Sequence, residues 1–349
     1  MERVVSRTEL DVTGIGNAIV DIIAPTDDAT IARLEMSKAS MTLINRERSE
    51  QLRELMGPRV QLSGGSAGNT VAGLASLGAK VGYIGKIRDD ELGDAFRHDI
   101  TSMGVLYPTP PAVDGPPTAH CLIFVTPDAQ RTMNTYLGAC VNLAVHDLDR
   151  KMIEASSILY LEGYLFDPPN AQNAFRAAAH MAHAAGRQVA LTLSDSFCVE
   201  RHRQAFLDLI EDHVDILFAN EMELKALFET EVWEDAVACV APQVRFAAIT
   251  RGSLGSIIAT GGRIIPICAA RAASIIDTTG AGDLYASGVM FGLATGRSPE
   301  ECGWLGSVAA AEVISHFGGR PEIPLKDYLT SRSIEMPVTV RHAQIQRTR

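Results

Sequence analysis

Cysteine is sparse and scattered, aromatic residues make up only 6% of the chain, and no apolar run approaches the length of a membrane span. The six cysteines, Cys121, Cys140, Cys198, Cys239, Cys268 and Cys302, form no Cys-x-x-Cys pair. Reduced thiols are therefore expected, not a disulfide framework or a zinc site. Basic residues are the minority: 31 Lys and Arg against 42 Asp and Glu leave a formal charge of −11. A nucleic-acid binder needs a basic excess to neutralise phosphates, so that partner class is excluded, and an anionic substrate has to meet a local positive potential. Met1–Arg7 hold no apolar core of an export signal, and a cytosolic protein without a membrane partner is expected. His180 and His183 make the one histidine pair at helical spacing, but a metal site needs three or four ligands and none stands nearby in the sequence.

What is present is ordinary globular material, with 46% hydrophobic and 21% charged residues over 349 positions, enough to bury a large core. Val12–Asp21 reads as a strand that breaks at Gly14 and Gly16 and resumes; without the third glycine of a dinucleotide-binding loop it is not a Rossmann start. Residues 22–45 alternate weakly and suggest short strands outside the core. Ala119–Thr126 and Arg131–Tyr136 flank a Pro-Asp turn and predict a hairpin. From Leu148 onward strands and helices alternate regularly, with strands at 158–161, 189–193, 216–219 and 246–250. That alternation predicts an α/β fold: a doubly wound, mostly parallel sheet with helices on both faces, plus a small β lid. The expected division gives 1–21, 49–111 and 139–336 to the main domain, 22–48 and 112–138 to the lid, and 337–349 to a peripheral tail.

Three stretches carry chemistry. Asp277-Thr278-Thr279-Gly280-Ala281-Gly282-Asp283 follows an apolar run ending at Ile276 and opens a small-residue helix that stops at Gly296, so a strand-to-helix junction is predicted. Gly280 and Gly282 let successive N–H groups face an anion at the positive end of the helix, and Asp283 in the first turn can accept a proton from an attacking hydroxyl. The plainer reading is a helix cap after a glycine turn. Ser63–Asn69 opens a second small-residue helix, where Gly64 and Gly65 permit close ligand approach and Asn69 offers both donor and acceptor. Asn220 and Glu223, three apart at a helix start, read either as a cap or as holders of hydrated magnesium. Asn17 and Asp21 flank a bend at the end of the first strand, where open α/β sheets bind ligands. Thr250, Gly252 and Gly255 form a turn that can line a nucleotide.

Taken together and in this order, the stretches around Gly64-Gly65 and Asn69, Asn220 and Glu223, and Asp277–Asp283 resemble the ribokinase-like (PfkB) family of carbohydrate and nucleoside kinases over nearly the whole chain. Within it the chain is most similar to the adenosine kinases, whose Asn-x-x-x-Asp is matched by Asn17 and Asp21, and Arg131 matches an arginine near the transferred phosphate. The resemblance implies ATP, Mg2+ and often K+, with Asp277 and Thr279 beside the potassium. It implies that Asp283 is the base, that Gly280, Ala281 and Gly282 form the anion hole, and that Asn220, Thr250, Gly252, Gly255 and Gly282 hold ATP. The acceptor would be adenosine, phosphorylated on its 5′-hydroxyl, with Asn17, Asp21, Gly64, Gly65 and Asn69 around the ribose and Cys121, Tyr136 and Tyr164 around the base. A ribose- or fructose-type sugar kinase and a non-catalytic nucleoside or nucleotide sensor are the alternatives; a monomer or homodimer is expected. Two departures stand out: Tyr285 where phenylalanine is common, and Arg251 inside the Thr-x-Gly turn.

Overall fold

The computed structural model describes residues 8–128 and 130–331; Met1–Arg7 and the tail beyond Met336 lie outside them. The chain runs through β1 (Leu10–Ile15), β2 (Ile19–Pro25), α1 (Asp28–Arg33), β3 (Met41–Leu43), α2 (Arg46–Leu55), β4 (Val60–Ser63), α3 (Ser66–Ser76), β5 (Val81–Ile84), α4 (Glu91–Ser102) and the hairpin β6 (Ala119–Val125) and β7 (Arg131–Tyr136). It continues through α5 (Arg150–Ala155), β8 (Ser156–Glu162), α6 (Pro169–Ala184), β9 (Gln188–Thr192), α7 (Ser196–His213), β10 (Ile216–Asn220), α8 (Glu221–Phe228), α9 (Trp233–Val240) and β11 (Phe246–Thr250). The last elements are β12 (Ser256–Thr260), β13 (Arg263–Ile267), α10 (Ala281–Ala294), α11 (Pro299–Val313) and α12 (Leu325–Ser331).

Eight strands make one sheet in the order β13-β12-β11-β10-β9-β8-β1-β5. It is parallel from β5 to β11, and β12 and β13 return antiparallel. Both faces are covered, which is why the central strands are continuously apolar rather than alternating. Along β8, Ile158 and Tyr160 join the buried cluster on one face, with Leu74, Phe96 and Val289 from the helices, while Leu159 and Leu161 join the other, with Phe175, Phe206 and Leu224. Small residues let α3 and α10 approach closely: a Cβ at Gly73 would stand 2.5 Å from both Leu284 and Ser287. Ser287 Oγ donates to the Thr70 carbonyl at 2.8 Å.

The other five strands form a second sheet in the order β3-β7-β6-β2-β4. Val20, Ile22, Ala24, Leu122 and Phe124 on one face join a buried cluster with Ile31, Leu34 and Leu52 of the α1–α2 region. Because side chains alternate along a strand, Ile19, Asp21, Cys121 and Ile123 point to the opposite face, and there they line the large cavity.

Three expectations change. Residues 22–45 are not short strands alone: Asp27 caps the six-residue α1 by accepting from Thr30 N at 2.7 Å, an element too short to show a helical period. The small sheet also takes in Val60–Ser63, which the division drawn from sequence left with the main domain. No strand precedes Asp277; Ile275 and Ile276 are exposed, and the segment is tied to the end of α11 by Ile276 N donating to the Ile314 carbonyl at 2.8 Å. The place beside β12 is taken by β13, and Ile276 pairs with the end of α11 and not with a strand.

Candidate active site

A cavity of about 700 Å³ runs along the carboxyl-terminal edge of the parallel strands, between the main sheet and the inner face of the small one. The start of α10 forms one wall. Gly280 takes φ +77° with its Cα facing the backbone of Gly319, a conformation and a closeness that a side chain would not allow. Gly280, Ala281, Gly282 and Asp283 all line the cavity, and a Cβ at Gly282 would meet nothing within 4 Å, so the first turn of the helix opens toward the space a ligand would fill.

Asp283 is held from the neighbouring helix. Ser66 Oγ donates to its Oδ1 at 2.6 Å, and Asn69 Nδ2 donates to its Oδ2 at 3.0 Å. Burial pushes the Asp283 carboxyl up to about 6, and these two hydrogen bonds work against that rise. Asn69 Oδ1 is left buried without a partner, an acceptor available to a ligand hydroxyl.

The second polar cluster lies at the turn between β1 and β2. Glu162, at the carboxyl end of β8, accepts from Asn17 N at 3.2 Å and Asn17 Nδ2 at 2.7 Å through one oxygen, and from Ala67 N at 2.7 Å through the other. It thereby fastens the Asn17 turn to the start of α3. Burial raises the Glu162 carboxyl to about 7 against those three donors. Asp21 packs against Gly64, where a Cβ would stand 2.5 Å from its Oδ2. Its carboxyl is raised to about 6, mainly by burial, with Arg131 and Arg320 pulling it down. Gly65 has φ +83° and crowds the carbonyl of Asn17.

Asn17, Asp21, Gly65, Asn69, Cys121, Tyr164, Asn220, Glu223, Thr250 and Gly252 all reach the cavity. Gly64 does not line it and serves the close packing of Asp21. Gly255, with φ +88°, shapes the turn between β11 and β12 against the backbone of Ile267. Tyr136 is a correction: it lies one position beyond Thr135, so it faces away from the cavity, beside His120 and α2, at a ring separation of 5.5 Å from His120. The cavity wall on the small-sheet side is aliphatic instead, built from Ile19, Met41, Leu43, Ile123, Met133 and Leu137.

Asn220 and Glu223 form a reciprocal capping box: Glu223 N donates to Asn220 Oδ1 at 2.9 Å, while Asn220 N and Nδ2 donate to the Glu223 carboxylate at 2.9 and 2.5 Å. Each Glu223 oxygen keeps a further lone pair at the cavity wall, and burial raises its carboxyl to about 7. Among the described residues no three His, Cys, Asp or Glu side chains are placed to hold a metal ion directly. A cavity-facing carboxylate and amide fit magnesium, which keeps several of its waters. Asp277 and Thr279 meet Arg131: Arg131 Nη1 lies 2.6 Å from Asp277 Oδ2 and donates to Thr279 Oγ1 at 2.8 Å, and Asp277 also accepts from Thr279 N and Gly318 N. Arg131 thus ties β7 to the loop before the glycine turn. Arg251 turns from the cavity to Glu221 at 2.8 Å and stacks on Trp233 at 4.3 Å. Tyr285 Oη donates to Ser256 Oγ at 2.8 Å.

Two site residues escaped the sequence reading. Glu162 carried one available signal, a charged residue closing an apolar core strand at the ligand-binding edge. Ser66 carried none beyond its place after Gly64-Gly65.

The family model of pfkB family carbohydrate kinases matches residues 37–326. The chain belongs to that family. Its kinase fold agrees with solved relatives: adenosine kinase from Sinorhizobium meliloti is 49% identical, with a TM-score of 0.88 over 93% of this chain and 99% of that one. A probable sugar kinase from Rhizobium etli CFN 42 is 46% identical, with a TM-score of 0.89 over the same shares. Adenosine kinase 2 of Arabidopsis thaliana is 24% identical over 335 residues, covering 87% of this kinase and 94% of the relative.

Proposed function

We propose that this kinase transfers the γ-phosphoryl group of ATP to the 5′-hydroxyl of adenosine, giving AMP and ADP. The observation that carries the choice of a nucleoside is the aliphatic wall of the inner lid face. Met41 and Leu43 are 39% and 43% exposed, and with Ile19, Ile123, Met133 and Leu137 they extend the cavity beyond the polar cradle. A free sugar has no apolar surface to bury there, whereas a purine ring has. Asp21, Asn17 and the unpartnered Asn69 Oδ1 suit the cis hydroxyls of a ribose. The likeness to the Sinorhizobium adenosine kinase supports the same acceptor.

ATP with bound magnesium supplies the phosphoryl group and the charge that neutralises it. Asp283 takes the proton of the acceptor hydroxyl as that oxygen forms its bond to phosphorus and the bond to the ADP oxygen breaks. The N–H groups of Gly280 and Gly282 face the developing negative charge, while that of Ala281 donates to the Thr278 carbonyl at 3.2 Å. Asn220 and Glu223 orient the hydrated magnesium, and Thr250 and Gly252 border the nucleotide.

The test is a panel of adenosine, inosine, guanosine, ribose and fructose under one concentration of ATP and magnesium. Adenosine is expected to have the highest kcat/KM. A free sugar turned over with higher kcat/KM than adenosine overturns the acceptor and leaves the kinase standing.

A further inference from the structure

The helix start at Gly65-Ser66 uses its hydroxyl in an unusual place. Gly65 occupies the N-cap position and has no side chain to cap with, and Ser66 stands one residue too late to cap. The Ser66 hydroxyl leaves its own helix and reaches Asp283 Oδ1 on α10 at 2.6 Å. We infer that Ser66 is the positioning residue for the general base, its hydroxyl fixing the Asp283 carboxylate in one orientation and favouring its ionised form. The inference rests on the role proposed for Asp283.

The geometry leaves little freedom. Each oxygen of Asp283 receives one donor from the first turn of α3, Oδ1 from Ser66 and Oδ2 from Asn69 Nδ2 at 3.0 Å. The two helices are packed through Gly73 and pinned by Ser287 Oγ to the Thr70 carbonyl, so the separation of their first turns is set by the backbone and not by a flexible side chain. Asn69 cannot stand in for the serine: its amide already serves Oδ2, and its Oδ1 is free for the acceptor. A hydroxyl donating to a carboxylate makes a short, charge-assisted bond that exists only while the carboxylate is ionised or shares its proton. Burial drives the Asp283 carboxyl up, and of the two hydrogen bonds opposing it the one from Ser66 is the stronger. Without it a larger share of the base would be protonated near neutral pH and unable to accept a proton.

The experiment measures kcat and kcat/KM for adenosine from pH 5 to 9 in the wild type, Ser66→Ala and Ser66→Thr, alongside a carbon-detected NMR titration of Asp283 in each free protein. For Ser66→Ala the acid limb and the Asp283 titration are expected to move upward together, by roughly tenfold in proton concentration. Turnover should fall about tenfold at pH 5 and about twofold at pH 7, and return to the wild-type level by pH 9, with KM for ATP within about twofold of the wild type. Ser66→Thr, which keeps the hydroxyl, should follow the wild-type profile. Where Ser66→Ala does not fold, Ser66→Gly removes the same hydroxyl. An unmoved Asp283 titration, or a loss of turnover equal at every pH, overturns the inference. If the wild type phosphorylates none of the acceptors the proposed reaction has failed, and the NMR titration still decides whether Ser66 governs Asp283.

Discussion

Asp283 has to stay ionised in a place that disfavours charge. Burial lifts its carboxyl and that of Asp21 to about 6, so both lose their charge as pH falls through that value. In the proposed reaction Asp283 must be ionised to take a proton and Asp21 to accept from the ribose, so the active form is expected above about pH 6 and lost below it. The kcat/KM for adenosine is therefore expected to fall on the acid side with a slope above one, approaching two; a single ionisation near pH 4 would separate these carboxylates from the reaction. Asp283→Asn keeps size and hydrogen-bonding capacity but removes the base, and turnover should drop by roughly two to four orders of magnitude. ATP binding, followed by calorimetry, should survive. At this scale the sequence was legible in bringing Asp283, Asn17 and Asp21 to one cavity. It was not legible where the fold brings distant residues together: Glu162 meets Asn17 across 145 positions and Ser66 meets Asp283 across 217. Tyr136 shows the opposite failure, since a strand residue one step out of register faces the other side.

At the scale of elements, the site is two glycine-led helix starts facing each other. Gly65 at φ +83° and Gly280 at φ +77° let α3 and α10 begin against backbone that no side chain could approach. Gly65→Ala would place a methyl group into the carbonyl of Asn17 in a sparsely populated positive-φ region costing a side chain roughly 1–3 kcal/mol. The expected result is a lower melting temperature and a KM for adenosine raised by about tenfold or more, with KM for ATP little changed. Equal rises in both constants would mean that the turn supports the whole cavity and not the acceptor side. Both helix starts could be read from the sequence, because a glycine pair before a small-residue helix is local information. The missing strand before Asp277 could not, since Ile275 and Ile276 look like strand residues and only the fold shows Ile276 tied to the end of α11 with both side chains exposed.

For the whole molecule, the regular alternation of strands and helices after Leu148 specified the parallel sheet, while the membership of the smaller sheet depended on pairings between β2, β4 and β6 that no local pattern carries. The chain is acidic and its cavity is lined by Asp21, Glu162, Glu223 and Asp283, so a polyphosphate must enter with its counter-charge. Glu223→Gln should raise the magnesium concentration for half-maximal rate by several-fold and leave adenosine affinity nearly unchanged. An unchanged magnesium dependence would leave Glu223 as the partner of Asn220 in the helix cap and nothing more. In the proposed reaction the fold, the base and the acceptor meet in one bond, formed between the γ-phosphorus and the 5′-oxygen of adenosine. Phosphorus NMR of a reaction of the purified protein with adenosine, ATP and magnesium observes that bond directly. A new monoester resonance coupled to the two 5′ protons of the ribose is expected, appearing together with ADP and forming at least about a hundredfold more slowly with Asp283→Asn. Release of inorganic phosphate without an ester, or an ester formed equally well by Asp283→Asn, would contradict the proposed reaction.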